Sequence, residues 1–566
     1  MEVADTIVGP MTTVAQLLLD RAGDDHIGLR YGDASWTWRQ VAEESATRAS
    51  WMGRIRQEGP FHIGVLLENV PEYLFLLGGA ALSGATVVGI NPTRRGDELA
   101  ADIRHTDCQV LVTDSEQRRL IDGLDTGVYP GRVFVVDDPA YTTDVGAPGL
   151  FAARLPSPDT LYLLLFTSGS TGAPKAVRVS QGRLADAGQT MATGAGFTAD
   201  DVLYCAMPMF HGNALNTCVV PAMASGAGLV LRRRFSASGF LPDVRRYGVT
   251  YFNYVGRVLA YILATDPLPD DGENSLRFGF GTDASPSDIA AFKKRFHCPV
   301  VEGYGSSEGA ISMSRIPGTP RQAMGVPPAG TEVAIVDPDS GTECPPARLD
   351  AAGRLLNPAE AIGEIVSRNG APRFEGYYAN AAAEAERTRG GWFWSGDLGY
   401  RDEAGFFYFA GRPADWLRVD GENFAAAPVE RILARFPGVV TAAVYPVPDP
   451  RTGDQVMATL ELRVATAFDP VAFARFLSVQ EDLGTKWAPR FVRLTDAIPV
   501  TGTNKVDKRP LRAAAWRTAD PVWWRPFVGR GADDEARSTY RLLAPADVDA
   551  LQDEFAAHGR SGLLEF

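Results

Sequence analysis

Lysine is almost missing from this chain. Six lysines (Lys175, Lys293, Lys294, Lys486, Lys505 and Lys508) stand among 55 basic residues, so the other 49 are arginine. A position that keeps a compact ammonium against that background is a candidate for needing one. Lys293 and Lys294 read as surface-helix residues and carry no such demand. Cysteine is equally sparse. The five thiols (Cys108, Cys205, Cys218, Cys298, Cys344) are scattered and form no CxxC pair, which argues against a disulfide framework and for a reducing compartment. Six histidines form no HExxH or HxH cluster, so a structural zinc site is not expected. No basic leader precedes an apolar stretch, because Glu2 and Asp5 sit in the first ten residues; a signal peptide is not expected. The longest uncharged run, Tyr73 to Ile90, is broken by Gly78, Gly79, Ser83 and Gly84. It reads as a buried helix ending near Gly84 and then a strand, not as a membrane span. The expected location is the cytoplasm.

What is present is globular. The 566 residues are 45% hydrophobic and 22% charged, enough for three or four domain-sized units. Net charge is −14, so no overall field draws nucleic acid or an anionic membrane. The run Arg232, Arg233, Arg234 reads as a solvated edge. Apolar, β-rich stretches (His62 to Leu67, Val110 to Val112, Val133 to Val136, Leu161 to Phe166) alternate with helical patterns such as Trp38 to Ile55 and Gly96 to Thr106. That alternation predicts an α/β fold with largely parallel, buried strands. From Gly325 the texture turns to short strands with Pro and Gly turns, a β-rich subdomain. A boundary is expected at Gly411-Arg412-Pro413, which divides the chain into residues 1–411 and 412–566. The second part reads as a small α+β unit with Trp516 to Phe566 as an appendage.

The sharpest local signal follows the apolar strand Leu161 to Phe166. Thr167, Ser168, Gly169, Ser170, Thr171 and Gly172 lead through Ala173 and Pro174 to Lys175. Glycines let backbone N–H groups approach phosphate oxygens, hydroxyls add donors, and Lys175 adds charge. The loop is not of the GK[ST] type, since Ala176 follows the lysine.

This run resembles the phosphate loop of the adenylate-forming superfamily, which contains acyl-CoA synthetases, adenylation domains and luciferases. Further matches come in the expected order. Gly303-Tyr304-Gly305-Ser306-Ser307-Glu308-Gly309 is similar to the second core motif. The resemblance implies Tyr304 beside adenine, Ser307 on phosphate and Glu308 holding Mg²⁺, a role that suits a carboxylate beside polyphosphate. Trp392 to Gly399 resembles the ribose motif, with Asp397 accepting from both ribose hydroxyls. Gly411-Arg412 resembles the interdomain junction, with Arg412 reaching ribose or phosphate. Thr501-Gly502-Thr503-Asn504-Lys505 resembles the catalytic-lysine motif, which implies that Lys505 neutralises charge at the α-phosphate. Pro208 to His211, Arg234 to Ser238, Asn253 to Arg257 and Val419 to Asn423 place the chain nearest the fatty acid transport protein and very-long-chain acyl-CoA synthetase branch. Ala176, Ala414 and Asn504 depart from the usual residues.

The resemblance implies a large N-terminal domain of layered α/β subdomains with a β-rich subdomain, and a small, mobile α+β C-terminal domain. It implies ATP, Mg²⁺ and CoA, with a small-molecule acid activated as acyl-AMP. The substrate pocket is placed among His211, Asn213, Asn253, Arg257 and Asp283. Buried polar groups left unpaired against an alkyl chain are costly, so a small or polar acid is expected. An alternative keeps ATP but activates nitrite and joins it to an aryl amine, as some diazotase relatives do. A nucleotide-binding pseudo-enzyme is the remote third reading.

Overall fold

The computed structural model describes residues 12–146, 154–167, 175–255, 257–282, 284, 286–350, 353, 355–411, 416–419, 422–451, 453–463, 468–480, 483–484, 486–501, 505–526 and 539–564. Two large sheets carry the N-terminal part. The first runs Val133–Val135, Cys108–Thr113, His62–Leu66, Thr86–Gly89, Leu161–Phe166, Ala176–Ser180. Its strands are parallel except the last, which returns antiparallel beside Leu161–Phe166. Helices cover it, so strands such as His62–Leu66 are buried along their whole length and read as unbroken apolar runs.

The second sheet has eight strands, ordered Ser312–Ser314, Val300–Gly305, Phe278–Thr282, Tyr251–Val255, Val202–Cys205, Gly228–Leu231, Ile27–Tyr31, Ala34–Thr37. Its two edge strands are antiparallel and the interior is parallel. The helix Trp38–Ile55 starts at Thr37, whose hydroxyl and the Gln40 side chain cap each other's backbone N–H. The helix Pro71–Ser83 packs against it and stops at Gly84, which takes φ +71° as only glycine does cheaply. The uncharged run is therefore a buried helix followed by the strand Thr86–Gly89, as its glycines predict. Among the described residues no helix is long and apolar enough to cross a membrane.

A four-stranded antiparallel sheet follows: Val333–Val336, Gly363–Ser367, Phe393–Arg401, Phe407–Gly411. After it come the hairpin Trp416–Val419 and Glu422–Ala425 and then a five-stranded sheet. Hydrophobic clusters respect this order. One set draws residues from Val14 to Ala410 and another from Leu417 to Phe555.

Two expectations need correction. Trp516 to Phe566 is not an appendage. Its strand Val522–Trp524 pairs with Phe491–Thr495 inside the five-stranded sheet. Trp516 and Trp524 stack on Phe491 at 4.9 and 5.9 Å. The basic run Arg232 to Arg234 is not a bare solvated edge either. Arg232 pairs with Asp243 at 2.8 Å, and Arg233 with Glu68 at 2.6 Å and Asp114 at 2.8 Å.

Candidate functional site

The strand ends deliver the sequence motifs to one region. Thr167 follows the last residue of Leu161–Phe166, and its backbone N–H donates to the Lys175 carbonyl at 3.1 Å. Ser168, Gly169, Ser170, Thr171 and Gly172 lie outside the described residues, as do Asp283 and Arg412. Lys175 is only 7% exposed, and its ammonium lies 3.8 Å from the carboxylate of Glu386. A nearly buried cation thus faces a single, more exposed carboxylate.

Tyr304 and Asp397 come from different sheets and meet directly, the phenol donating to Oδ2 at 2.7 Å. Asp397 lies in the strand Phe393–Arg401, and its backbone N–H donates to the Ser395 hydroxyl at 3.0 Å. Ser307 contributes its carbonyl to the Arg183 guanidinium. Glu308 is buried, and its Oε1 accepts from the Tyr377 hydroxyl at 2.8 Å. Among the described residues no cluster of three or more His, Cys, Asp or Glu side chains could hold a metal. The donor chemistry at Glu308 still fits a hard cation that takes its remaining ligands from polyphosphate and water.

His211 caps the short helix Gly212–Ala214, its Nδ1 accepting from the Asn213 N–H at 3.4 Å. Burial pushes the imidazole down to about 4, the charge of Lys505 pushes the same way, and Glu308 opposes both. His211 is therefore neutral at ordinary pH. The same electrostatics show that Lys505, from the C-terminal part, comes close to His211 of the N-terminal part.

Asn253 and Asn213 are joined, Nδ2 of the first donating to Oδ1 of the second at 2.9 Å. Arg257 opens the helix Arg257–Ala264; its side chain lies outside what is described. The helix from Gly212 widens into a π-helical stretch, Leu215–Val219, a deformation common at functional sites.

Sequence reasoning missed several groups here. Arg183, Glu375, Tyr377, Glu386 and Arg387 surround Glu308 and Lys175 but belong to no motif it used. Tyr377, adjacent to Gly376 and Tyr378, was the most visible of them. It also missed an open sheet face. Asn253, Phe280 and Val301 are register partners across three neighbouring strands and so share one face. Val301 is 40% exposed although its strand has neighbours on both sides. Further along, a Cβ at Gly303 would meet the Phe280 ring edge and the Met313 carbonyl, and one at Gly305 would meet nothing within 4 Å. This face of the strand is bare of side chains at Gly303 and Gly305, while Tyr304 between them projects to the opposite face.

Residues 19–378 match the family of AMP-binding enzymes, and residues 428–505 match the AMP-binding enzyme C-terminal domain. A steroid-22-oyl-CoA synthetase of Rhodococcus jostii is 54% identical over 98% of this chain and 99% of its own length. A medium/long-chain-fatty-acid–CoA ligase, FadD17 of Mycobacterium tuberculosis, is 45% identical over 90% of this chain and 98% of its own. In fold, the anthranilate CoA ligase AuaEII superposes with a TM-score of 0.77 at 22% identity, covering 91% of this chain and 99% of that one.

Proposed function

Because the chain belongs to the AMP-binding enzyme family, we propose that it activates a steroid-type carboxylic acid and delivers it to CoA. It is an AMP-forming acid–CoA ligase, and its co-substrates are ATP and CoA. The relatives give the nitrite-activating alternative no support. The observation that carries the substrate reading is the stretch of sheet face bare at Gly303 and Gly305 and next to Phe280 and Val301, which in this reading floors a flat slot. A rigid, fused-ring acid fills such a slot with little loss of conformational freedom. The name of the 54%-identical relative points the same way. Asn253 Nδ2 is taken up by Asn213 Oδ1, which leaves the buried Asn253 Oδ1 as an unpaired acceptor that a hydroxyl or carboxyl edge of the acid can meet.

In this reading Lys175 and the loop before it hold the phosphates, and Tyr304 and Asp397 hold the nucleoside. Ser307 lies beside the phosphates, and Arg412 at the junction reaches ribose or phosphate. Glu308 is the residue that would hold Mg²⁺, which when bound screens the phosphate charge. The substrate carboxylate attacks the α-phosphorus and pyrophosphate leaves. Lys505 stabilises the charge that builds on the α-phosphate oxygens. The CoA thiol then attacks the acyl-adenylate carbonyl and AMP departs. His211, neutral, borders the reacting carboxylate without adding charge. Arg257 and Asp283 are assigned to the pocket rim. Residues 412–566 act as the lid that carries Lys505, and the reduced cysteines suit a cytosolic setting.

The test is a product assay with ATP, Mg²⁺ and CoA, read by mass. The acids would be a steroid with a carboxylated C22 side chain, palmitate and a hydroxycinnamate. The steroid acid should show the highest kcat/KM. A higher value for either of the others would overturn the substrate reading while leaving the ligase chemistry in place.

A further inference from the structure

The short helix Ala381–Arg387 ends in two charges that reach opposite partners. Glu386 faces Lys175 at 3.8 Å. Arg387 turns inward, and its guanidinium donates to the Trp394 carbonyl at 3.2 Å and lies against the Tyr377 hydroxyl. Tyr377 in turn donates to Glu308 Oε1 at 2.8 Å. The Arg387 charge thus stands behind the phenol and bears on both Tyr377 and Glu308, while the Tyr377 O–H donates to the Glu308 carboxylate. A guanidinium on the phenol oxygen polarises the O–H and strengthens the bond it gives to an anion. The fold makes room for this arrangement. Gly396 has φ +72°, and a Cβ there would lie 2.2 Å from Arg387 Nη1. Any side chain at position 396 would expel the guanidinium.

We propose that Arg387, acting through Tyr377, is the positioning residue that fixes the Glu308 carboxylate for the divalent cation arriving with ATP. The inference rests on the reading that Glu308 holds that cation. With Oε1 pinned by Tyr377, the carboxylate has one rotamer and one free oxygen to present. Without the pin, it rotates and must be ordered when the cation binds, at a cost in affinity. Arg387 also lies against the strand segment Ser395-Gly396-Asp397, so a purely structural role would disturb nucleoside binding at Asp397 instead. The two roles separate in what they weaken.

The experiment measures Mn²⁺ binding by electron paramagnetic resonance in the presence of a non-hydrolysable ATP analogue. AMP affinity without metal is measured by calorimetry alongside it. Arg387→Gln and Tyr377→Phe should each weaken Mn²⁺ binding about tenfold and change AMP affinity less than about twofold. The double variant should be little worse than either single one, because both break the same relay. Arg387→Lys should restore part of the loss. Tyr377→Phe removes one oxygen atom only and keeps the test valid if Arg387→Gln folds poorly. Unchanged Mn²⁺ affinity in Tyr377→Phe, or an equal loss of AMP affinity in Arg387→Gln, would overturn the proposal. Glu308→Gln is the control: if it leaves Mn²⁺ binding intact, the assignment of Glu308 itself fails, and the relay with it.

Discussion

The Tyr304 hydroxyl donates to the Asp397 carboxylate at 2.7 Å, tying the strand Val300–Gly305 of the eight-stranded sheet to the strand Phe393–Arg401 of the four-stranded one. Two residues that the sequence motifs assign to the same nucleoside thus hold one another in place. Asp397→Ala should weaken ATP binding by roughly 10- to 100-fold, because charge-assisted bonds to the ribose are lost. Tyr304→Phe should cost less than about threefold, since it frees an Asp397 oxygen while keeping the aromatic face. Calorimetric ATP titrations decide both, and unchanged affinity in Asp397→Ala would remove the ribose assignment.

In the proposed reaction Lys505 acts on charge and not on shape. Lys505→Ala should lower acid-dependent pyrophosphate release by about 100-fold or more while ATP affinity stays within a few-fold. Near wild-type release would show that the lysine's approach to His211 has no part in the chemistry.

Gly305 leaves the acyl slot open. Gly305→Val should reduce kcat/KM for a fused-ring acid at least about tenfold, because the new methyls stand where the ring system lies. Thermal stability should hold, since a Cβ at 305 meets nothing within 4 Å. An equal effect on a short-chain acid would show that the damage is not to the slot.

Asp102 provides a pH test of the core. It is 1% exposed, and its carboxylate lies 2.8 Å from Arg94 Nε. Burial pushes it up to about 6, Arg94 opposes this, and Glu98 adds to it. A raised folded-state value means a favourable contribution that is complete below about pH 4 and lost as pH rises through 6. Above pH 6 the buried charge is a net cost. Asp102→Asn should therefore be more stable than wild type at pH 8, by up to about 3 kcal/mol, with the gain shrinking toward pH 5. Urea midpoints at the two pH values provide the check, and a gain that is the same at both would exclude Asp102 as the titrating group.

The sequence by itself determined whatever is written in consecutive residues. The apolar run Leu161 to Phe166 is a strand because a strand buried on both faces needs no polar alternation. Gly84 ends its helix because the chain there must turn left-handed. The family resemblance was legible at the motifs around Lys175, Tyr304, Asp397 and Lys505 because each is a short run of consecutive residues. The appendage was misread because Trp523 and Trp524 carry no local sign of which strand they join. Only the tertiary structure brought Arg387 and Tyr377 behind Glu308, matched Asn213 to Asn253, and opened the sheet face at Val301. Those contacts join residues tens of positions apart or more, and their energies depend on burial and register, which no local pattern records.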